Sequence, residues 1–171
     1  AQANLGAEET DPRYALIQDL VEKFKDAKAF GSLLSVDNSH EATLFDLKTT
    51  LTDLIVNGDS LQKGSAEKLL PIVEQAWILS QRYDAVIANP PFLDDKYFVP
   101  SLKKFVKSNY VGFDRNLYSA FIGQSLKLVK NFNYAALVTP LTWMFTSSYT
   151  ETRKLILENH SFITSVRPSY T

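Results

Sequence analysis

A chain of 171 residues that is 45% apolar and 12% aromatic has the length of one domain and enough apolar side chains to bury a core. It has no Cys, and its two His residues, His40 and His160, lie far apart in sequence, so disulfides and thiolate metal ligands are excluded and a zinc site is not expected. A net charge of −1 argues against a general electrostatic grip on nucleic acid, which requires clustered Lys and Arg.

Asp11-Pro12 reads as a helix start, with Asp as N-cap and Pro at the first helical position, followed by Tyr14, Ile17, Leu20, Val21 and Phe24 at helical spacing. Residues 30–36 read as a short strand or extended segment. Leu44, Leu47, Leu51, Leu54 and Ile55 then form a second helical stripe ending near Asn57-Gly58. Ser65 is the expected cap of a third helix carrying Leu69, Leu70, Val73, Ala76, Trp77 and Leu79, with Pro71 near its first turn or kinking it. These two helices are expected to form a hairpin, with Asn57-Gly58-Asp59 as the end of one and the cap of the next.

Ala85-Val86-Ile87-Ala88 is a continuous apolar run, as expected of a strand covered on both faces. The next 24 residues carry no clear period. Leu117, Tyr118, Phe121, Ile122, Ser125, Leu128 and Val129 mark another helix, 134–139 a second buried strand stopped by Pro140, 147–159 a helix, and 162–166 a strand. Strand, helix, strand, helix, strand predicts an α/β fold with a parallel sheet and right-handed crossovers.

No apolar run approaches the roughly 20 residues of a membrane span, and the first residues lack the charged-then-apolar order of a signal peptide. A soluble, cytoplasmic protein with no membrane or metal partner is expected. Met144 is the sole Met and the chain stops just after a strand-like run, so a piece of a longer protein is expected too.

The apolar run leads into Asn89-Pro90-Pro91-Phe92, where a parallel strand would end and where open α/β sheets place their chemistry. This motif resembles that of amino-group methyltransferases. An exocyclic amine on an aromatic base is a poor nucleophile because its lone pair is delocalised into the ring. The Asn89 amide oxygen and the Pro90 carbonyl can accept hydrogen bonds from the two N–H groups and free that lone pair. Consecutive prolines have fixed φ and lack N–H groups, which holds the acceptors in place. Phe92 offers a ring face for the base, which must be flipped out of a duplex to reach it.

Four stretches together resemble the PglX-type adenine-specific DNA methyltransferases of BREX phage-defence systems, relatives of the methyltransferase parts of type IIG restriction enzymes. They are residues 30–34, 83–92, 116–122 and 138–145. The resemblance implies a partial Rossmann-like methyltransferase fold preceded by a helical segment: residues 1–82 mainly helical, with a hairpin insertion, and 83–171 the catalytic half. It implies S-adenosyl-L-methionine as cofactor, and DNA and the remainder of the full-length protein as partners. Asn89, Pro90, Pro91 and Phe92 would be catalytic, Trp143 substrate-binding, and Phe30, Gly31 and Ser32 would shape the adenosine end of the cofactor site.

Two departures stand out. Asn116 takes a position where the family often has Asp, and the upstream glycine-rich strand-to-helix turn, typically Phe-x-Gly-x-Gly, is absent. The chain is therefore expected to carry the acceptor side of a site and to be inactive alone. Related Asn-Pro-Pro motifs also serve methylation of protein glutamine and RNA guanine, and a non-catalytic interaction module remains a third reading. Lys96, Lys103, Lys104, Lys107 and Arg115 read either as phosphate contacts or as a solvated face.

Overall fold

The computed structural model describes residues 11–167 as two compact units, one formed by residues up to 86 with 127–134, the other by 87–126 with the residues from 135 onward. Readings that fall on residues 1–10 and 168–171 lie outside the described residues. In the first unit, helix α1 (Pro12–Lys23) starts as expected, the Asp11 carboxylate accepting the Arg13 N–H at 2.8 Å. Leu16 and Leu20 bury its inner face. Residues 30–36 are not a strand, contrary to expectation. A short helix α2 (Ala27–Phe30) runs into Gly31, whose φ of +54° ends it, and a 3-10 turn follows over Gly31–Leu33. Leu33, Leu34 and Val36 are still buried, so their apolar character is satisfied by packing without sheet pairing.

The main body of this unit is the expected hairpin of α3 (Glu41–Asn57) and α4 (Ser60–Ser80). Leu44, Leu47 and Leu51 face Ala66, Leu69, Val73 and Ala76 in a buried seam. The connection is tight because Gly58 donates to the Leu54 carbonyl at 3.0 Å, and a Cβ on Gly58 would collide with that carbonyl. Asp59 then caps α4 in a reciprocal box, accepting from the N–H of Leu61 and Gln62 at 2.9 and 2.8 Å while the Gln62 side chain accepts the Asp59 N–H at 2.9 Å. The helix thus begins ahead of Ser65, which lies inside it. Pro71 also sits within the helix and not in its first turn.

Strand β1 (Tyr83–Ala88) pairs with β2 (Val129–Leu137). The strands run in the same direction. Asp84 near the start of β1 is met by Lys130 at 3.0 Å, and the Ala88 carbonyl at its end accepts the Val138 N–H at 3.0 Å. This mixed helix and strand architecture with a parallel pair agrees with the partial methyltransferase fold. Two details are corrected. Strand β1 is not covered on both faces among the described residues, since Ile87 is 83% exposed, and residues 162–166 form no strand. β2 also starts five residues before the expected point and contains Phe132 at a left-handed φ of 64°.

In the second unit, α5 (Pro100–Asn109) and α6 (Leu117–Leu128) fill the stretch between the strands, and α7 (Thr142–Phe145) and α8 (Thr150–Asn159) follow β2. The sequence signal for α5 was short but present: Pro100 at the first helical position, then Leu102 and Val106 one turn apart and buried. Buried polar groups are paired, Tyr110 donating to the Gln124 side chain at 2.7 Å and Thr152 to the Gly112 carbonyl at 2.5 Å.

Candidate active site

Asn89 follows β1 directly. Its side chain is exposed, and among the described residues its amide has no hydrogen-bond partner. Pro90 beside it is buried and anchors the turn, while Pro91 is exposed. Neither proline carries an N–H, so the carbonyls here are set by stiff backbone and not by a hydrogen-bonded ladder. Phe92 remains 56% exposed, with its ring nearly perpendicular to Tyr118 at a centroid distance of 6.0 Å. An amide acceptor, a stiff carbonyl and an available aromatic ring therefore occupy four consecutive positions.

What lies behind Phe92 is rigid. The Leu93 carbonyl accepts the Leu117 N–H at 2.8 Å, and Asp94 bridges to Asn116, so the chain leaving the motif is pinned to the start of α6. The Asn116 side chain accepts the Tyr118 N–H at 3.3 Å and serves α6 as a local cap, a task its amide performs without charge. Tyr118 is stacked on Tyr149 at 6.0 Å with an interplanar angle of 24°, and its hydroxyl lies 3.2 Å from Thr142 Oγ1. Burial, and after it a hydrogen bond with Tyr118, push the Tyr149 hydroxyl above its ordinary range.

Trp143, expected to touch substrate, is half-buried. Its indole N–H donates to Thr139 Oγ1 at 3.0 Å, its ring meets Phe162 at 6.4 Å, and it packs against the cluster of Tyr118, Ile122, Tyr149 and Ile156. Arg153 holds the same segment from α8, donating to the carbonyls of Trp143 and Thr146 at 2.7 and 2.8 Å. Tyr118 and Arg153 were not among the expected site residues. Tyr118 lay within the quoted 116–122 stretch, but nothing in the sequence ties Arg153 to the segment it holds.

Lys96 sits in a turn after the motif with its ammonium 4.9 Å from the Tyr97 ring centroid, and Lys103 pairs with Asp95 at 3.3 Å. Lys104, Lys107 and Arg115 are exposed. Phe30, Gly31 and Ser32 belong to the other unit. The backbone at Gly31 is open, with nothing within 4 Å of where a Cβ would stand, so a ligand could approach it. The segment runs from the end of the short helix α2 directly into a 3-10 turn, however, and so lacks the amide cradle of a glycine-rich strand-to-helix turn. These three residues do not by themselves fit S-adenosylmethionine. Among the described residues no cluster of His, Asp or Glu could hold a metal ion, and no helix is long and apolar enough to cross a membrane.

The Eco57I restriction-modification methylase family model matches residues 14–169, nearly the whole chain and both units. This chain belongs to the Eco57I restriction-modification methylase family. The resemblance read from its four stretches is borne out by curated relatives. The chain is 40% identical over 151 residues to the adenine-specific methyltransferase BrxX of Escherichia coli O9:H4 (strain HS), an alignment covering 88% of this chain and 12% of that protein. It is 26% identical over 147 residues to the adenine-specific methyltransferase PglX of Lacticaseibacillus casei (strain Zhang), covering 81% of this chain and again 12% of the relative. The methylase family implies a methyl donor. The chain spans about one eighth of the length of the relatives it matches.

Proposed function

We propose that the intact protein to which this chain belongs methylates the N6 amine of adenine in DNA, within a restriction-modification or phage-defence system of the cytoplasm. The observation that carries this reading is the exposed Asn89 amide at the end of β1, without a partner among the described residues and followed by two prolines and an exposed ring. The amine of a flipped adenine donates one N–H to Asn89 Oδ1 and the other to the Pro90 carbonyl, which localises the nitrogen lone pair. Phe92 stacks on the base and keeps it in plane with those two acceptors. The names of the relatives support adenine as the acceptor.

The donor we assign is S-adenosylmethionine, with its main contacts outside Phe30, Gly31 and Ser32. Calorimetry on the 171-residue chain is expected to detect very weak or no binding of this donor; micromolar affinity would show that the chain carries a cofactor site of its own. Lys96 and the exposed Lys104, Lys107 and Arg115 are assigned to phosphates beside the flipped base. Phe92→Ala in the intact protein is expected to lose the roughly 1–3 kcal/mol of one base stack, read as a roughly 5- to 150-fold slower single-turnover methylation. Phe92→Trp should retain most of the rate.

Nucleoside mass spectrometry of DNA incubated with the intact protein and labelled donor tests the acceptor. Label in N6-methyldeoxyadenosine is the expected result. Label in protein glutamine or RNA guanine would move the same site to another amine, and no transfer to any acceptor would leave the motif structural.

A further inference from the structure

Resting on the adenine reading and deepening it, we propose that Tyr118 is the positioning residue for Phe92, a buried brace that sets the base-stacking ring and couples it through Thr142 to the segment carrying Trp143. Tyr118 is 2% exposed. Each part of it meets a different element of the unit. Its ring packs at 84° to Phe92, it lies stacked on Tyr149, and its hydroxyl reaches Thr142 Oγ1 at 3.2 Å. A tyrosine stacked on one ring and tethered at its hydroxyl has both side-chain torsions fixed. Phe92, by contrast, is more than half exposed, and Tyr118 is the aromatic partner that orients it.

The coupling extends further. Thr142 opens α7, and the carbonyls of Trp143 and Thr146 in and just beyond that helix are held by Arg153. The Tyr118 hydroxyl thus links the catalytic turn to a segment fixed independently from α8. Orientation of a bound base matters strongly for transfer, since a misplacement of about 1 Å can cost on the order of 100-fold in rate. A brace acting this way changes the rate of the chemical step more than the affinity for DNA.

The test uses the intact protein, with single-turnover methylation at saturating DNA and DNA affinity measured in parallel. Tyr118→Leu is expected to slow the step by about tenfold or more with DNA affinity essentially unchanged. Tyr118→Phe, which keeps the ring, and Thr142→Val, which removes the tether from the other side, should each cause a smaller loss, that of Tyr118→Phe being at least as large because it also removes the hydrogen bond with Tyr149. In a Phe92→Ala background, Tyr118→Leu should cost nothing further. An equal loss in both backgrounds, or a loss confined to DNA affinity, would overturn the proposal.

Should Tyr118→Leu not fold, a loss of rate in Thr142→Val decides, and a wild-type rate in that variant would overturn the coupling. A second readout does not depend on activity. 4-Fluorophenylalanine placed at position 92 should give a fluorine resonance displaced from the solvent-exposed value, moving towards that value in Tyr118→Leu and recovering in Tyr118→Phe. An unchanged resonance would overturn the brace. Absence of methylation by the wild type would instead sink the functional reading and leave the fluorine result to judge the brace.

Discussion

Replacing Asn89 with Ala in the intact protein is expected to lower adenine methylation by at least about 100- to 1,000-fold, the loss seen when one preorganised hydrogen-bonding group is removed from a reaction centre. The reason is specific to the amine. With Asn89 gone, one N–H loses its acceptor, the nitrogen stays planar, and its lone pair remains in the ring. Asn89 is exposed and its side chain holds nothing else among the described residues, so the substitution should leave stability within about 0.5 kcal/mol. Single-turnover rates and a urea unfolding curve on the same preparation separate the two effects. A variant that unfolds earlier and loses activity in proportion would make Asn89 structural.

The second large effect is on stability. Leu51 lies in the middle of α3, 1% exposed, in the seam against α4. Leu51→Ala should cost about 2–5 kcal/mol, the sum of lost transfer energy and the cavity left behind. That is a large fraction of the roughly 5–15 kcal/mol that holds a domain folded. Thr50→Ala, one residue away on the exposed face, removes only a hydroxyl bonded to the Asp46 carbonyl and should change stability by no more than about 0.5 kcal/mol. Trp77 on α4, with Phe45 at 5.8 Å and Lys48 over its ring, reports the unfolding of this seam by fluorescence. Equal effects of the two substitutions would show that the seam does not hold the hairpin.

The α3 and α4 hairpin was legible because its apolar residues recur every three to four positions and because Asn57-Gly58-Asp59 joins a helix end to a helix cap. The start of α4 was misplaced because its first turn is polar. Its signal was the Asp59 and Gln62 pair, not Ser65. Residues 30–36 and 162–166 illustrate a different limit. β-Branched and apolar residues fit a strand, but a strand exists only where another chain segment pairs with it, and among the described residues neither stretch has such a neighbour. Helix α5 was hidden because two buried positions one turn apart are too few to show a period.

At the site, Asn89 through Phe92 could be read at once since the four residues are adjacent. The residues that set their surroundings could not. Tyr118 follows Phe92 by 26 positions, and Arg153 reaches Trp143 from the next helix. These are tertiary contacts without a sequence period. Trp143 shows the same limit, since the resemblance to the family suggested a place near the base, while nothing in the sequence shows that its indole N–H donates to Thr139.

A structure of the intact protein with a flipped adenine and an unreactive analogue of the methyl donor tests the site most directly. The N6 amine is expected within hydrogen-bonding distance, about 2.7–3.2 Å, of both Asn89 Oδ1 and the Pro90 carbonyl oxygen, with the base stacked on Phe92. An amine held by other groups, with Asn89 turned away from the base, would contradict it.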